Sequence, residues 1–422
     1  MDATPLTAQL NDRDADKRLA ALAALQKAGS VRQPGKPYYV NNHIHTTYSF
    51  SPYSPAKAVY MAARAGLETA GVMDHDAIAG ANEFIEAGRI VGLPVTVGVE
   101  TRVDLSGTPF SDRLVNNPDQ KGVAYMALHG VPHGAFGDVD AVFRVVREKR
   151  NARNRAMCEK ASALLQKAGL SLNFDADVLP YSMSEEGGSV TERTVCFAIA
   201  VKIIEKTGRG AACVRLVKDV LNLPVTGAAL ERLSDAQNPH YEYDLTGVLK
   251  GGMVKDFYID AREELLSIDR FVELANGTGA IAAYAYLGDV GESVTGDKKP
   301  QKFEDAYLDE LLAFLKGKGI GTIAYMPSRN TAAQLRRIRS YNFFEISGED
   351  VNSSRQSFIC PQLAAPEFGR LIPATWALLG HESAATLNKA AGMFGKDTLA
   401  SLPDLPDRIA HFALIGLAQV SR

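Results

Sequence analysis

The feature that most constrains the fold is an alternation of short β-type runs with helical stretches from Lys36 onward. About seven runs are rich in β-branched, aromatic and small apolar residues: YYVNNHIH, TAGVMDH, LPVTVGVE, GVAYMALHG, GAIAAYAYLG, GIGTIAYMP and NFFEISGED. Such alternation is typical of a parallel sheet whose strands are joined by crossover helices. Because seven strands are enough for a nearly closed barrel, the sequence predicts an α/β fold: a distorted seven-stranded (β/α) barrel with a helical insertion.

The segments around these runs divide the chain into four predicted units. They are an amphipathic N-terminal leader (1–35), a barrel in two parts (36–145 and 272–360), a helical cap inserted between those parts (146–271), and C-terminal helices that pack on the barrel (361–422). The cap is predicted from stretches such as RTVCFAIAVKIIEKTG, which have helical periodicity. Two roles for it stay open, because a cap shapes substrate access in some barrels and only stabilises others.

Charge and composition exclude several classes of function. The chain has 46 basic and 49 acidic residues, a net charge of −3, so bulk electrostatics give no reason to expect a nucleic-acid partner. No stretch approaches the ~18 uncharged apolar residues of a membrane span, and the first residues lack the pattern of a secretory signal. The four cysteines have no CxxC spacing, which favours a reducing, cytoplasmic location. Nothing in the composition indicates the oligomeric state.

Two histidines mark the end of the first β-type run. His43 and His45 stand two residues apart, and because side chains alternate along a strand, both imidazoles point to the same side. This geometry is suited to holding one metal ion. By itself, the pair also fits two partly exposed strand histidines with no ligand.

Ionisable residues at the ends of three further runs favour the metal site. The second run ends in His75, the third in Glu100 and the last in Asp350. Parallel barrels build their active sites at the carboxyl ends of their strands, so these groups are expected to converge with the two histidines. Of these groups, the imidazoles of His43 and His45 and the carboxylates of Glu100 and Asp350 form a site suited to manganese, iron or zinc.

Three stretches carry a resemblance to a known family. HIHTTYS at His43, MDHDAIAGANEF after Val72 and VGVE ending at Glu100 resemble the motifs of the polymerase and histidinol phosphatase (PHP) family, in its phosphoesterase branch acting on nucleotide-like phosphates. The resemblance extends from about Lys36 to Phe358 and implies a barrel of the PHP type. It also implies a first metal bound by His43, His45, Glu100 and Asp350.

The same resemblance implies that two further metal subsites are incomplete. At the ligand positions of the second metal the chain has Tyr125 and Tyr286, with His129 or His133 as alternatives to Tyr125. Neutral tyrosine is a poor ligand because its hydroxyl pKa is near 10. The three positions of the third metal hold Phe50, His75 and Asn352. We therefore expect a divalent metal cofactor with fewer than three ions, and His75 either orients a phosphate or water or fills a polar gap.

These features predict a metal-dependent, phosphoesterase-like hydrolase of small phosphorylated or nucleotide-like molecules. His75 and Asp350 are its candidate catalytic residues. Arg193 and Arg329 are candidate phosphate-binding residues, with surface arginines as the alternative. Two other functions stay open: a catalytically impaired protein that binds a ligand or acts as a scaffold, and a one-metal hydrolase of amides or lactones.

Overall fold

The computed structural model describes residues 3–29, 31–289 and 304–419. Residues 1–2, 30, 290–303 and 420–422, which belong to the predicted leader, barrel and C-terminal segment, lie outside the described part. Within that part, one sheet of eight strands forms: β1 (Val40–Ile44), β2 (Thr69–His75), β3 (Val95–Asp104), β4 (Val123–His129), β5 (Leu266–Ser267), β6 (Ile281–Tyr286), β7 (Thr322–Tyr325) and β8 (Phe344–Ser347).

Seven of the described strands follow one another in the order β1-β2-β3-β4-β6-β7-β8, and the two-residue β5 pairs with β3. A parallel bridge between Ile44 and Val351 joins β1 to the chain that follows β8, so the sheet is nearly closed. The predicted distorted seven-stranded barrel is confirmed.

One strand departs from the predicted parallel arrangement. β4 runs antiparallel to both of its neighbours, β3 and β6, whereas the other principal pairs are parallel. The connection from β3 to β4 contains no helix, and without a crossover the chain reverses into the neighbouring position. As a result, the carboxyl end of β4 lies at the opposite end of the barrel from the carboxyl ends of β3 and β6.

Fifteen α-helices surround this sheet in the described residues. They are α1 (Ala3–Gln9), α2 (Ala15–Ala28), α3 (Pro55–Arg64), α4 (Ala81–Val91), α5 (Phe136–Leu165), α6 (Glu192–Thr207), α7 (Ala211–Arg215), α8 (Gly227–Ser234), α9 (Tyr241–Phe257), α10 (Ile268–Thr278), α11 (Leu308–Gly317), α12 (Ala332–Ser340), α13 (Leu371–Leu387), α14 (Lys396–Ser401) and α15 (Leu405–Leu417). No described helix is both long and apolar enough to cross a bilayer.

Helices α5–α9 occupy the region of the predicted cap. α5 begins at Phe136, so this single 30-residue helix crosses the predicted boundary at residue 146. The later part of α5 packs with α6–α9 around a hydrophobic core of their own, which includes Met157, Ile199 and Leu249. The assignment of these residues to a separate unit stays a prediction.

Helix α13 packs against the end of the barrel where β3 begins. Its Glu382 accepts hydrogen bonds from the Thr96 hydroxyl (2.5 Å) and the Val97 amide (2.8 Å). Its Leu378 packs with Ile281 of β6 and Ile346 of β8. The C-terminal helices therefore close the amino-terminal end of the barrel and leave the carboxyl ends of the parallel strands open to the cap.

Candidate metal centre

The five residues predicted as metal ligands lie together at the carboxyl end of the parallel strands. His43 is in β1 and His45 directly follows it, His75 ends β2, Glu100 is in β3, and Asp350 follows β8. Their ligand atoms form two overlapping groups, one of His43, His45 and Asp350 and one of His45, His75 and Glu100. Within each group all atoms lie within 4.8 Å of one another. The structure therefore brings the five side chains together, and their role as metal ligands stays a prediction.

The closest approaches in this cluster join an imidazole to a carboxylate. Nε2 of His45 lies 3.2 Å from Oδ1 of Asp350, and Nδ1 of His75 lies 3.1 Å from Oε2 of Glu100. Nε2 of His43 lies 3.7 Å from the same Glu100 oxygen. His43, His45 and Glu100 are buried, whereas His75 and Asp350 are partly exposed toward a cavity.

A buried carboxylate, Asp74, sets the orientation of the His45 ring. Asp74 accepts hydrogen bonds from the Thr46 amide (2.7 Å), the Thr46 hydroxyl (2.6 Å) and the Ser49 hydroxyl (2.6 Å). Because Ser49 donates its only proton to Asp74, its oxygen can only accept from Nδ1 of His45, which lies 3.3 Å away. In the neutral ring, Nδ1 therefore carries the proton and Nε2 carries a lone pair.

This tautomer places two electron-rich atoms in contact. Nε2 of His45 is buried and has no hydrogen-bond donor among the described residues. Its nearest charged neighbour is Oδ1 of Asp350, which also accepts a hydrogen bond from the side-chain Nδ2 of Asn352 (2.6 Å). A lone pair that faces a carboxylate oxygen is unfavourable unless a proton on the nitrogen or a metal ion lies between the two atoms. The donor set of the cluster therefore fits a divalent metal ion.

The charge states of the cluster also suit a cation. Burial alone would raise the pKa of Glu100, but the imidazoles of His43, His75 and His45 outweigh it and lower the pKa to about 2. Burial, aided by the neighbouring His45, lowers the pKa of His75 to about 3. At neutral pH Glu100 is thus a carboxylate and His75 a neutral imidazole, the forms in which these groups bind metals.

Comparison with known proteins agrees with this geometry. The family model of the PHP domain matches residues 41–321. The chain belongs to the PHP domain family. No curated protein matches the sequence. Membership of the family supports a metal-dependent hydrolase that uses a divalent ion.

Two solved structures resemble this PHP protein. A candidate metal-dependent phosphoesterase from Bifidobacterium adolescentis is 17% identical, with 77% of this chain and 93% of that one covered and a TM-score of 0.50. An amidohydrolase from Chromobacterium violaceum, solved with bound sulfate and no metal, is 18% identical, with 79% and 96% covered and a TM-score of 0.49. The first likeness shows that the two proteins share a fold.

The two tyrosines that the resemblance places at second-metal positions keep their hydroxyl protons. Tyr286 donates its hydroxyl hydrogen bond to Oδ1 of Asp305. Tyr125 pairs across the sheet with Arg102, on the cavity side of the barrel. Burial raises the hydroxyl pKa of both tyrosines far above neutrality. Both therefore stay protonated and are unsuited to binding a divalent ion.

Phe50 occupies the first of the third-metal positions. Its ring packs on Phe197 of α6 and Tyr243 of α9, with centroid distances of 5.8 and 5.9 Å. Its backbone has a positive φ of 151°, which is rare for a side chain of this size. In this protein, the position contributes an aromatic contact between the barrel loop and the cap.

The two histidines considered as replacements for Tyr125 lie in different places. His133 pairs with Glu382 at 3.0 Å, near the start of β3 and away from the cluster. His129 is buried at the carboxyl end of β4, where burial and the neighbouring His43 lower its pKa to about 3. The antiparallel direction of β4 brings His129 into the barrel interior beneath the cluster.

A cavity of about 720 Å³ opens over this cluster of histidines and carboxylates. Arg193 lines it from the cap, whereas Arg329 is not among its lining residues. Arg102 and Arg150 also line it and were missed from the sequence. Arg102 follows Glu100 by two residues on one strand, so alternation would have placed them on the same face. Arg150 lies in α5 and had no comparable signal.

A buried carboxyl group near Tyr286 makes the stability of the protein depend on pH. Glu304 accepts hydrogen bonds from the Tyr284 hydroxyl (2.5 Å) and the Gly288 amide (2.9 Å). Burial raises its pKa to about 7 from an ordinary value of 4.5. Because the folded state favours the protonated form, its ionisation destabilises the fold as the pH rises from 4.5 through 7. Above pH 7 the cost is on the order of 3 kcal/mol.

The variant Glu304→Gln keeps the shape of the protonated side chain and cannot ionise. We expect wild type to lose free energy of unfolding between pH 5.5 and pH 8 relative to this variant, measured by urea denaturation. Glu310→Gln, on an exposed position of α11, is the control and should retain the wild-type pH dependence. Equal pH dependence in wild type and Glu304→Gln would contradict a raised pKa.

Proposed function

We propose that this protein is a metal-dependent hydrolase that removes phosphate from a small phosphate ester, with fewer than three metal ions. The observation that supports this most directly is the contact between the lone pair of His45 Nε2 and Asp350 Oδ1. His43, His45, Glu100 and Asp350 would hold the first ion, with His75 beside Glu100. A manganese, zinc or iron ion in this position would supply Lewis-acid charge and an activated water.

The side chains around the cluster would bind and orient the substrate. Arg193 extends from α6 into the cavity wall, and a guanidinium group binds two phosphate oxygens at once. The protonated Tyr125 hydroxyl is suited to donate a hydrogen bond to a further oxygen. Arg329 does not line the cavity, so we assign it no substrate contact.

His75 and Asp350 are the proposed catalytic residues. Both line the cavity, and each is the more exposed member of its imidazole–carboxylate contact. Through Nδ1, His75 contacts the Glu100 carboxylate, and through Oδ1, Asp350 contacts His45. The cavity volume lies in the range typical of small-molecule sites and fits a substrate of that class.

Phosphate release tests this function directly. The protein is loaded with manganese, zinc or iron(II) and assayed on p-nitrophenyl phosphate and on nucleotide monophosphates and bisphosphates. We expect turnover with at least one metal, and none in a His43→Ala/Asp350→Ala double variant. Turnover that survives in the double variant, or metal binding with no turnover of any phosphate ester, would contradict the proposal.

A second function is favoured by the residues at the incomplete subsites. The Tyr286 hydroxyl is used by Asp305, and the Phe50 ring is packed against the cap, so neither side chain contributes to catalysis by further metals. This second function is that of a protein that would bind a phosphorylated ligand without hydrolysing it. Calorimetric binding of a phosphate compound with no release of phosphate would favour this function, and turnover of an amide or lactone would favour a hydrolase of another class.

A further inference from the structure

The turn that follows His75 is held in an unusual backbone conformation. Asp76 has a positive φ of 51°, in the left-handed region that few side chains adopt without support. Its side chain is buried, with 2% of its surface exposed. Asp76 directly follows His75, so the conformation of this turn bears on where the His75 backbone lies.

Both backbone groups and both carboxylate oxygens of Asp76 are hydrogen-bonded. On the strand side, its amide donates to the Glu100 carbonyl (2.8 Å), and Oδ1 accepts from the Thr101 hydroxyl (2.6 Å). On the cap side, its carbonyl accepts from Arg147 (2.9 Å), and Oδ2 accepts from Arg150 (2.5 Å). The turn is therefore held between β3, which carries Glu100, and helix α5.

Arg150 connects this turn to a second cap helix. Its other terminal nitrogen donates to Oε2 of Glu192, the first residue of α6, at 3.1 Å. Arg150 is buried, with 4% of its side chain exposed. A buried guanidinium group with two carboxylate partners has a fixed geometry, because losing either partner leaves an uncompensated charge.

We propose that Asp76 and Arg150 are positioning residues that hold His75 against Glu100, so that packing of α5 and α6 sets the geometry of the metal cluster. The proposal rests on the proposed function only in its use of a bound metal as a probe. Loss of Arg150 would free Oδ2 of Asp76, relax the left-handed turn and rotate the imidazole of His75 away from Glu100.

Arg153 provides a matched control in the same buried network. It lies one helical turn beyond Arg150 and donates to Oε1 of Glu192 (2.6 Å) and the Ile259 carbonyl (2.8 Å), with Glu264 also 2.6 Å away. It has no hydrogen bond to Asp76 among the described residues. Removing Arg153 thus breaks a comparable buried ion pair without touching the turn after His75.

The first readout is the visible absorption spectrum of the cobalt(II)-loaded protein, which reports the arrangement of the ligands. We expect Arg150→Met to change the band positions and to weaken cobalt binding roughly 10- to 100-fold. Arg150→Lys should recover part of the wild-type spectrum because it restores a donor to Asp76. Arg153→Met should keep the wild-type spectrum although it also loses stability. Equal spectral changes in Arg150→Met and Arg153→Met would overturn the proposal.

The second readout needs no metal. Diethyl pyrocarbonate acylates exposed neutral imidazoles, and it can reach His75 because 23% of this side chain is exposed. Peptide mass mapping then measures the acylation of His75. We expect His75 to react several-fold faster in metal-free Arg150→Met than in wild type or Arg153→Met. Unchanged reactivity in Arg150→Met would overturn the proposal. A wild-type protein that binds no cobalt would overturn the proposed function instead, and the acylation rates would still decide the role of Arg150.

Discussion

Replacing His45 by alanine is expected to abolish metal binding. The change removes the nitrogen that faces Asp350 and that belongs to both ligand groups of the cluster, so neither group keeps three donors. Equilibrium dialysis followed by elemental analysis should find at least one manganese or zinc ion per wild-type chain and only background in His45→Ala. His411→Ala, on an exposed position of α15, is the matched control and should bind metal like wild type.

Metal binding should also appear as added stability. An ion that binds only the folded state at 100 times its dissociation constant raises the free energy of unfolding by about 2.7 kcal/mol. We expect this gain in wild type and in His411→Ala, and no gain in His45→Ala. A metal-dependent gain that persists in His45→Ala would place the bound ion at another site.

A smaller change tests the tautomer argument separately from the ligand itself. Ser49→Ala leaves His45 in place but removes the oxygen that accepts from its Nδ1. Loss of such a supporting contact weakens metal affinity roughly 10- to 100-fold. Ser51→Ala in the same loop, also buried, should have no such effect because Ser51 accepts only from the Tyr53 amide in its described hydrogen bonds. Equal affinities in Ser49→Ala and wild type would show that Ser49 does not orient the ring.

The second large effect concerns the N-terminal segment. Arg18 of α2 is buried and forms a bidentate pair with Glu83 of α4, with an Nε–Oε1 distance of 2.8 Å. Its remaining nitrogen donates to the carbonyls of Asp12 and Arg13 (2.7 and 2.8 Å). Replacing Arg18 by methionine leaves the Glu83 charge buried without its partner. We expect a loss of about 3–5 kcal/mol in the free energy of unfolding, measured by urea denaturation.

A double variant separates the charge from the packing. Arg18→Met/Glu83→Gln removes both charges, and the glutamine oxygen still accepts from the Ala56 amide. The double variant should therefore recover a large part of the lost stability. The exposed pair of Arg89 with Glu86 is the control, and Arg89→Met should leave the unfolding curve unchanged. A loss in Arg18→Met no larger than in Arg89→Met would mean that α2 contributes little to the fold.

The convergence of the five candidate ligands was predictable because these residues follow simple local rules. His43 and His45 share a face by strand alternation, and His75, Glu100 and Asp350 lie at or close after strand ends. Parallel strands bring such ends to one edge whatever their separation in the chain. The separation of His45 and Asp350 by 305 positions did not weaken this prediction, because it depends on strand direction and not on distance along the chain.

The arginines that line the cavity were less predictable. Arg193 and Arg329 have the same chemistry in the sequence, yet only Arg193 lines the cavity. Arg150 lies in a long polar helix whose pattern is that of a solvated surface, and its burial follows from the packing of α6 against α5. A guanidinium group is buried where carboxylates from other elements form ion pairs with it, and a local sequence pattern does not show which elements will pack together.

The sequence by itself predicted the barrel and the convergence of the candidate ligands, because strand alternation and strand-end placement are local properties of the chain, and its three motifs predicted the family. Tertiary structure alone decided the burial of His129 beneath the candidate ligands and the pairing of Arg150 with Asp76 in the turn after His75. The direction of β4 follows from its helix-free connection to β3, whereas His129 reaches the barrel interior only once β4 pairs with β3 and β6. The buried ion pairs likewise exist only once the cap helices pack against the barrel and exclude water from their charges.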